Sequence, residues 1–142
     1  MSTRSQIRFT GNNDITTQIY RHSDGYPEGV IPDLKKFFAW YESEPQARHG
    51  DSSYATADFI YFSKATLSED LKKAGAYKIG MGVENKGEIH GDEEYLYTVD
   101  VDTHNVKVQE ADEKLGFEKS KVLFEGSLDD AYKKYVAKKA KA

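Results

Sequence analysis

The apolar residues of this chain change their spacing along its length, and that change limits the folds open to it. Over SQIRFT and ITTQIYRH they recur at every second position. Ile7 and Phe9 share one side, Ile15, Thr17 and Ile19 share another, and the turn-forming GNND lies between them. A β-hairpin is predicted. Over IPDLKKFFAWYES the spacing becomes helical through Leu34, Phe37, Phe38 and Tyr41, with Pro32 suited to a first helical position. EPQARHGD reads as a loop. A second helix is expected over SSYATADFIYFSKATLSEDLKKAG, capped by Asp51 or Ser52. It carries Tyr54, Ala57, Tyr61 and Ala65 along one stripe and Phe59 and Phe62 along another, an apolar circumference wide enough for a central position. YATADFIYF is also rich in β-formers, so a strand competes for its middle.

Period two returns at Tyr77. YKIGMGVE sets Tyr77, Ile79, Met81 and Val83 on one side and Lys78, Gly80 and Gly82 on the other, where missing side chains let another group come close. ENKG reads as a turn, and EIHGDEEYLYTVDVD as a strand with a bulge or break at Gly91 and with Tyr95, Tyr97, Val99 and Val101 directed toward a covering helix. VKVQEA follows the THN turn, and KVLFEG adds a short strand. SLDD opens a last helix, with Ser127 as cap and Leu128, Ala131, Tyr132, Tyr135 and Val136 on one side, and residues 138–142 are expected to fray. The order is β-β-α-α-β-β-β-(β)-α. Hairpin-linked strands without βαβ alternation predict an α+β fold, an antiparallel sheet with about three helices on one face.

A chain of 142 residues is the size of a single domain, taken as residues 1–142. Ten Tyr and seven Phe must supply much of the core, which also argues against disorder. A net charge of −4 provides no overall field for a phosphate backbone, so nucleic acid is not an expected partner. The absence of cysteine excludes disulfides, zinc ribbons and thiolate nucleophiles, and no run of residues is apolar enough for a membrane span. A soluble, cytoplasmic protein is expected.

The stretch YRHSDGYPEGVIPDL raises the question of a site. Asp24-Gly25, Tyr26-Pro27 and Ile31-Pro32 are accounted for as a corner leading into a helix, with Asp33 in its first turn. Tyr20, Arg21 and His22 are not. Either Arg21 pairs with Asp24 or Asp33 and His22 bonds a turn carbonyl, or the three residues and Tyr26 line a pocket in which Arg21 recognises an anion. The same spacing recurs in His90-Gly-Asp92. Residues two apart on an extended chain project to one side, so His22, Asp24, His90 and Asp92 could surround a divalent metal that activates water for hydrolysis. The bland reading of the second copy is a bulged strand edge with an acidic corner at Asp92, Glu93 and Glu94, and Asp92 with Glu94 could also act as paired carboxylates. No dinucleotide, phosphate-loop or nucleophile-elbow motif is present. FIYF and YLY lack the basic companions of a base-stacking platform and read as core. His49 and His104 fall in predicted turns without an evident partner.

With YRHSDGYPEGVIPDL, IHGDEEYLYTVD and VKV, the chain resembles a set of small prokaryotic and phage proteins of unassigned role. These carry a Tyr-Arg-His-x-Asp-Gly-Tyr-Pro segment and a His-Gly-Asp before a tyrosine-rich strand. The resemblance spans most of residues 5–110 and implies no activity, only a small intracellular or phage-encoded protein.

The leading expectation is a binding module rather than an enzyme, recognising a small ligand or a protein partner through Tyr20, Arg21, His22, Tyr26 and the His90 to Glu94 segment, with no cofactor. A metal-dependent hydrolase or nuclease is the second reading, and interaction through an exposed sheet edge the third.

Overall fold

The computed structural model describes residues 3–66, 80–87, 89 and 92–137. Its elements are β1 (Arg4–Thr10), β2 (Thr17–Arg21), α1 (Pro27–Ser43), α2 (Ser52–Thr66), β3 (Met81–Glu84), β4 (Glu93–Asp100), β5 (Asn105–Glu110), β6 (Lys121–Ser127) and α3 (Leu128–Tyr132), followed by a π-helical turn, Lys133–Ala137. The order matches the sequence reading, and the fold is α+β. The expected bulge at Gly91, the end of the second helix, the strand start at Tyr77 and the fraying tail lie outside the described residues.

The sheet has six strands in the order β3-β2-β1-β4-β5-β6, and one pair departs from the antiparallel expectation: β1 and β4 run parallel. The reason lies in ENKG. It does not join neighbours. β3 pairs with β2, whereas β4 lies on the far side of β1, so the chain between them crosses over the sheet instead of turning back. Two strands joined by such a crossover can run in the same direction. Arg4 pairs with Glu93 and Ser5 with Tyr95, which leaves Glu94 as the extra residue of a bulge.

Alternation along the strands assigns the two faces. Ile7, Phe9, Ile19, Tyr97, Val99, Val106 and Val108 form one core with Leu34, Phe37 and Phe38 of α1 and Phe59 of α2. Phe37 meets Phe59 edge-on at 5.3 Å and stacks on Tyr41 at 5.1 Å, so aromatic rings fill the space between helices. The opposite face carries Gln6, Arg8 and Gln18, all buried, and a small second cluster of Ile89, Leu96 and Phe117.

Helix α1 starts five residues before Pro32. Pro27 takes the first-turn position, and Pro32 lies inside the helix. Gly29 is required there because a Cβ would stand 2.4 Å from the Asp24 carbonyl oxygen. The middle of α2 is helical, and Asp51 Oδ1 caps it by accepting from the Ser53 and Tyr54 amides at 2.9 and 3.1 Å. Of its expected stripes, that of Phe59 and Phe62 is buried, while Tyr54 and Tyr61 face solvent. Ser127 caps α3 by accepting from the Asp130 amide at 3.1 Å. The edge strand β6 is blunted. Its register with β5 shifts between Val108 and Gln109, and Lys134 Nζ donates to the Leu123 carbonyl at 3.0 Å.

Candidate functional site

The pleat of β2 separates the residues that the sequence placed together. Arg21 lies opposite Ser5 on the face covered by α1 and α2, whereas Tyr20 lies opposite Gln6 on the other face. Arg21 Nη2 donates to Asp33 Oδ2 at 2.7 Å and its Nε to the Ser23 carbonyl at 2.8 Å. Arg21 therefore pairs internally, with Asp33 rather than Asp24. Burial pushes the Asp33 carboxyl above its ordinary value more than Arg21 pulls it down. Tyr97 donates to the Gly25 carbonyl at 2.6 Å, which ties β4 to the corner, and burial pushes its hydroxyl strongly upward.

Gly25 is needed at this corner because a Cβ would stand 2.8 Å from the Thr3 carbonyl oxygen, and Asp24 takes a left-handed φ of 54°. Tyr26 turns outward and donates to Asp24 Oδ1 at 3.1 Å, a bond that with burial holds its hydroxyl above the usual range. Arg21 Nη1, Ser5 Oγ and Tyr135 Oη are buried and have no hydrogen-bond partner among the described residues.

On the other face the Tyr20 hydroxyl and His22 Nδ1 lie 2.8 Å apart. The expected bond from His22 to a turn carbonyl is thus replaced by one to its neighbour in the pleat. The His22 amide donates to the Gly80 carbonyl at 2.8 Å. Gly80 permits that approach, since a Cβ there would stand 2.8 Å from the Cβ of His22. Gly82, opposite Tyr20, has open space where a side chain would project. On the strand beyond, Arg4 pairs with Asp92 at 3.6 Å. Burial raises the Tyr20 hydroxyl most; Arg4 lowers it, and Glu93, Glu84 and Asp92 raise it.

His22, just after β2, and Asp92, just before β4, therefore lie at the same end of the sheet with β1 between the two strands, whose axes are about 10 Å apart. Tyr20 and His22 share one face; Arg21 and Tyr26 are turned away from it. His90 lies outside the described residues. Among those described, no three His, Asp or Glu side chains are placed to hold one metal ion, so His22, Asp24 and Asp92 do not gather around a common point. Asp24 serves Tyr26, and Asp92 serves Arg4.

A second polar cluster escaped the sequence reading. His104 Nε2 lies 2.9 Å from Glu42 Oε1, and His49 Nδ1 lies 3.4 Å from Glu42 Oε2, so one carboxylate on α1 joins two loops. A carboxylate only accepts, so in the His104–Glu42 bond Nε2 is the nitrogen that carries hydrogen. His104 also stacks on Phe38 at 4.1 Å and takes a φ of 64°. No local pattern could show this, because His104 and Glu42 are 62 positions apart. Beside them lies a cavity of about 370 Å³ lined by Lys35, Ser127 and Asp129 among others. No family model, curated protein or solved structure matches the chain.

Proposed function

We propose that the protein is a binding module, not an enzyme, and that it recognises a small ligand or a protein partner through the sheet end built from Tyr20, His22, Arg4 and Asp92, on the face opposite α1. One observation carries this reading: Tyr20 and His22 stand at the same end of the sheet as Arg4 and Asp92, which are distant from them in sequence. There a hydrogen-bonded ring pair stands beside an ion pair, with an open flank at Gly82. The surface offers an aromatic face, an imidazole, a cation and a carboxylate, a mixture suited to orienting a partner. Arg21 is not part of it. Its role is to brace the corner through Asp33.

The test is a thermal-shift screen of small anionic, cationic and aromatic compounds against the wild type, followed by Tyr20→Phe, His22→Ala and Arg4→Gln. The expected result is a compound that stabilises the wild type and loses its effect in the sheet-end variants, while Glu42→Gln responds as the wild type does. A compound that stabilises all of these variants equally overturns the assignment.

A further inference from the structure

Further along the face opposite α1, Lys86 and Gly87 after β3 and residues 113–119 between β5 and β6 line, with Arg8, a groove of about 460 Å³. Among the described residues its charged lining is Arg8, Lys86, Lys114 and Lys119 against Glu113 and Glu118. Four cations to two carboxylates is an excess of positive charge in a chain whose net charge is −4. The concentration of cations is therefore local, and a concave wall of one sign strengthens the field inside it.

Arg8 makes this more than a patch of surface lysines. Its side chain is only 7% exposed, and it is held from several directions. Nε donates to Gln18 Oε1 at 2.9 Å, Nη2 donates to the Gly87 carbonyl at 3.0 Å, and the guanidinium carbon lies 3.6 Å from the centre of the Phe117 ring. The Gln18 amide is itself fixed, because its Nε2 donates to Glu84 Oε1 at 3.1 Å. A guanidinium held this way loses little further freedom when it binds a ligand. Its Nη1 meets Glu118 Oε1 at 3.3 Å, and that carboxylate is 77% exposed on a loop. A carboxylate this exposed gives up little when it returns to water, so a stronger oxyanion can displace the glutamate.

We infer that this groove is a binding site for a phosphate-bearing small molecule. A phosphate oxygen replaces the Glu118 carboxylate on Arg8 Nη1, and Lys114, Lys119 and Lys86 neutralise the remaining charge. The Phe117 ring backs the guanidinium and leaves the groove mouth to the rest of the ligand. This site is separate from the sheet-end surface proposed above, and neither depends on the other.

The experiment is a titration of the full-length protein with pyrophosphate, followed in ¹H–¹⁵N spectra at low salt, with citrate as a second multivalent oxyanion. Saturable shifts confined to residues 8, 86–87 and 113–119 are expected, weakening as salt is added. Glu118→Gln removes the competing carboxylate and should tighten pyrophosphate binding about threefold. Lys114→Gln and Lys119→Gln should each weaken it by about threefold to fivefold. Glu125→Gln, an equal charge change outside the groove, should leave it unchanged. Because Arg8→Met also disturbs packing, the glutamate and lysine variants carry the test. Failure of pyrophosphate to saturate, tighter binding of citrate than of pyrophosphate, or equal effects of Glu118→Gln and Glu125→Gln would each overturn the inference.

Discussion

Two arginines are buried on opposite faces of the same sheet, and they solve the problem of an interior charge differently. Arg21 lies under α1 and meets Asp33, a carboxylate that is itself only 19% exposed, at 2.7 Å. Arg8 lies under the crossover and the β5–β6 segment, where amide and carbonyl oxygens, an aromatic ring and an exposed glutamate surround it. The first arrangement is closed: both charges are deep, and each is committed to the other. The second opens on a cavity and has a solvent-facing partner. Burial of an arginine is thus no guide to its role. What matters is whether its counter-charge is buried with it, because a deep pair cannot exchange its partner cheaply and an exposed one can.

The sharpest way to break the comparison is to strand one charge of the closed pair. Asp33→Ala leaves the Arg21 guanidinium under α1 without its carboxylate and should cost about 3–5 kcal/mol in denaturant unfolding. Replacing both residues, as Arg21→Met with Asp33→Leu, should recover most of that loss, since an apolar pair of similar volume avoids desolvation altogether. A double variant no more stable than Asp33→Ala would mean that the corner needs the ion pair itself.

The pH dependence examines the same pair from another direction. The Asp33 carboxyl is raised above its unfolded value because burial outweighs the pull of Arg21. A carboxyl raised on folding holds its proton more tightly in the native state, so its contribution is fully present below the unfolded value and is lost as pH rises through the folded value. The stability of the wild type relative to Asp33→Asn should therefore fall as pH rises through and above the ordinary carboxylate range. A rise over that range would show that Arg21 dominates and that the pair is stronger than its burial suggests.

Arg8→Met comes next in size. It removes the donor to Gln18 and to the Gly87 carbonyl while keeping an unbranched stem against Phe117. Acceptors that lose a donor in a partly buried site cost about 1–3 kcal/mol, so this variant should melt below the wild type yet above Asp33→Ala.

How much of this contrast was legible beforehand follows from the range of the forces involved. The strands, the caps at Asp51 and Ser127 and the Tyr97 face could be read because period, turn chemistry and capping act over a few residues. The identity of Arg21's partner was narrowed to two aspartates, both within reach along the chain. That Arg21 and Tyr20 face opposite sides also follows from the pleat, yet treating YRH as one unit obscured it. The parallel pairing of β1 with β4 was not legible, because a turn such as ENKG looks the same whether the next strand folds back or crosses over. Arg8 drew no notice within SQIRFT, since the loop that buries it arrives about a hundred positions later. The shared carboxylate of Glu42 was hidden for the same reason: His49 and His104 reach it from separate loops.

The smallest expected effect completes the comparison. Glu118→Ala removes the charged partner of a buried arginine, as Asp33→Ala does, but Glu118 is exposed and 3.3 Å from Arg8 Nη1. The pair contributes little because the exposed Glu118 stays hydrated when apart from it, while Arg8 keeps its bonds to Gln18 and the Gly87 carbonyl and its contact with Phe117. Unfolding stability should therefore change by no more than about 0.5 kcal/mol. A loss of several kcal/mol would make Glu118 a structural counter-ion like Asp33 and close the groove to an exchangeable anion. An unchanged midpoint leaves Arg8 rigidly placed by Gln18, the Gly87 carbonyl and Phe117 and makes Glu118 an exchangeable partner, which Asp33 is not for Arg21.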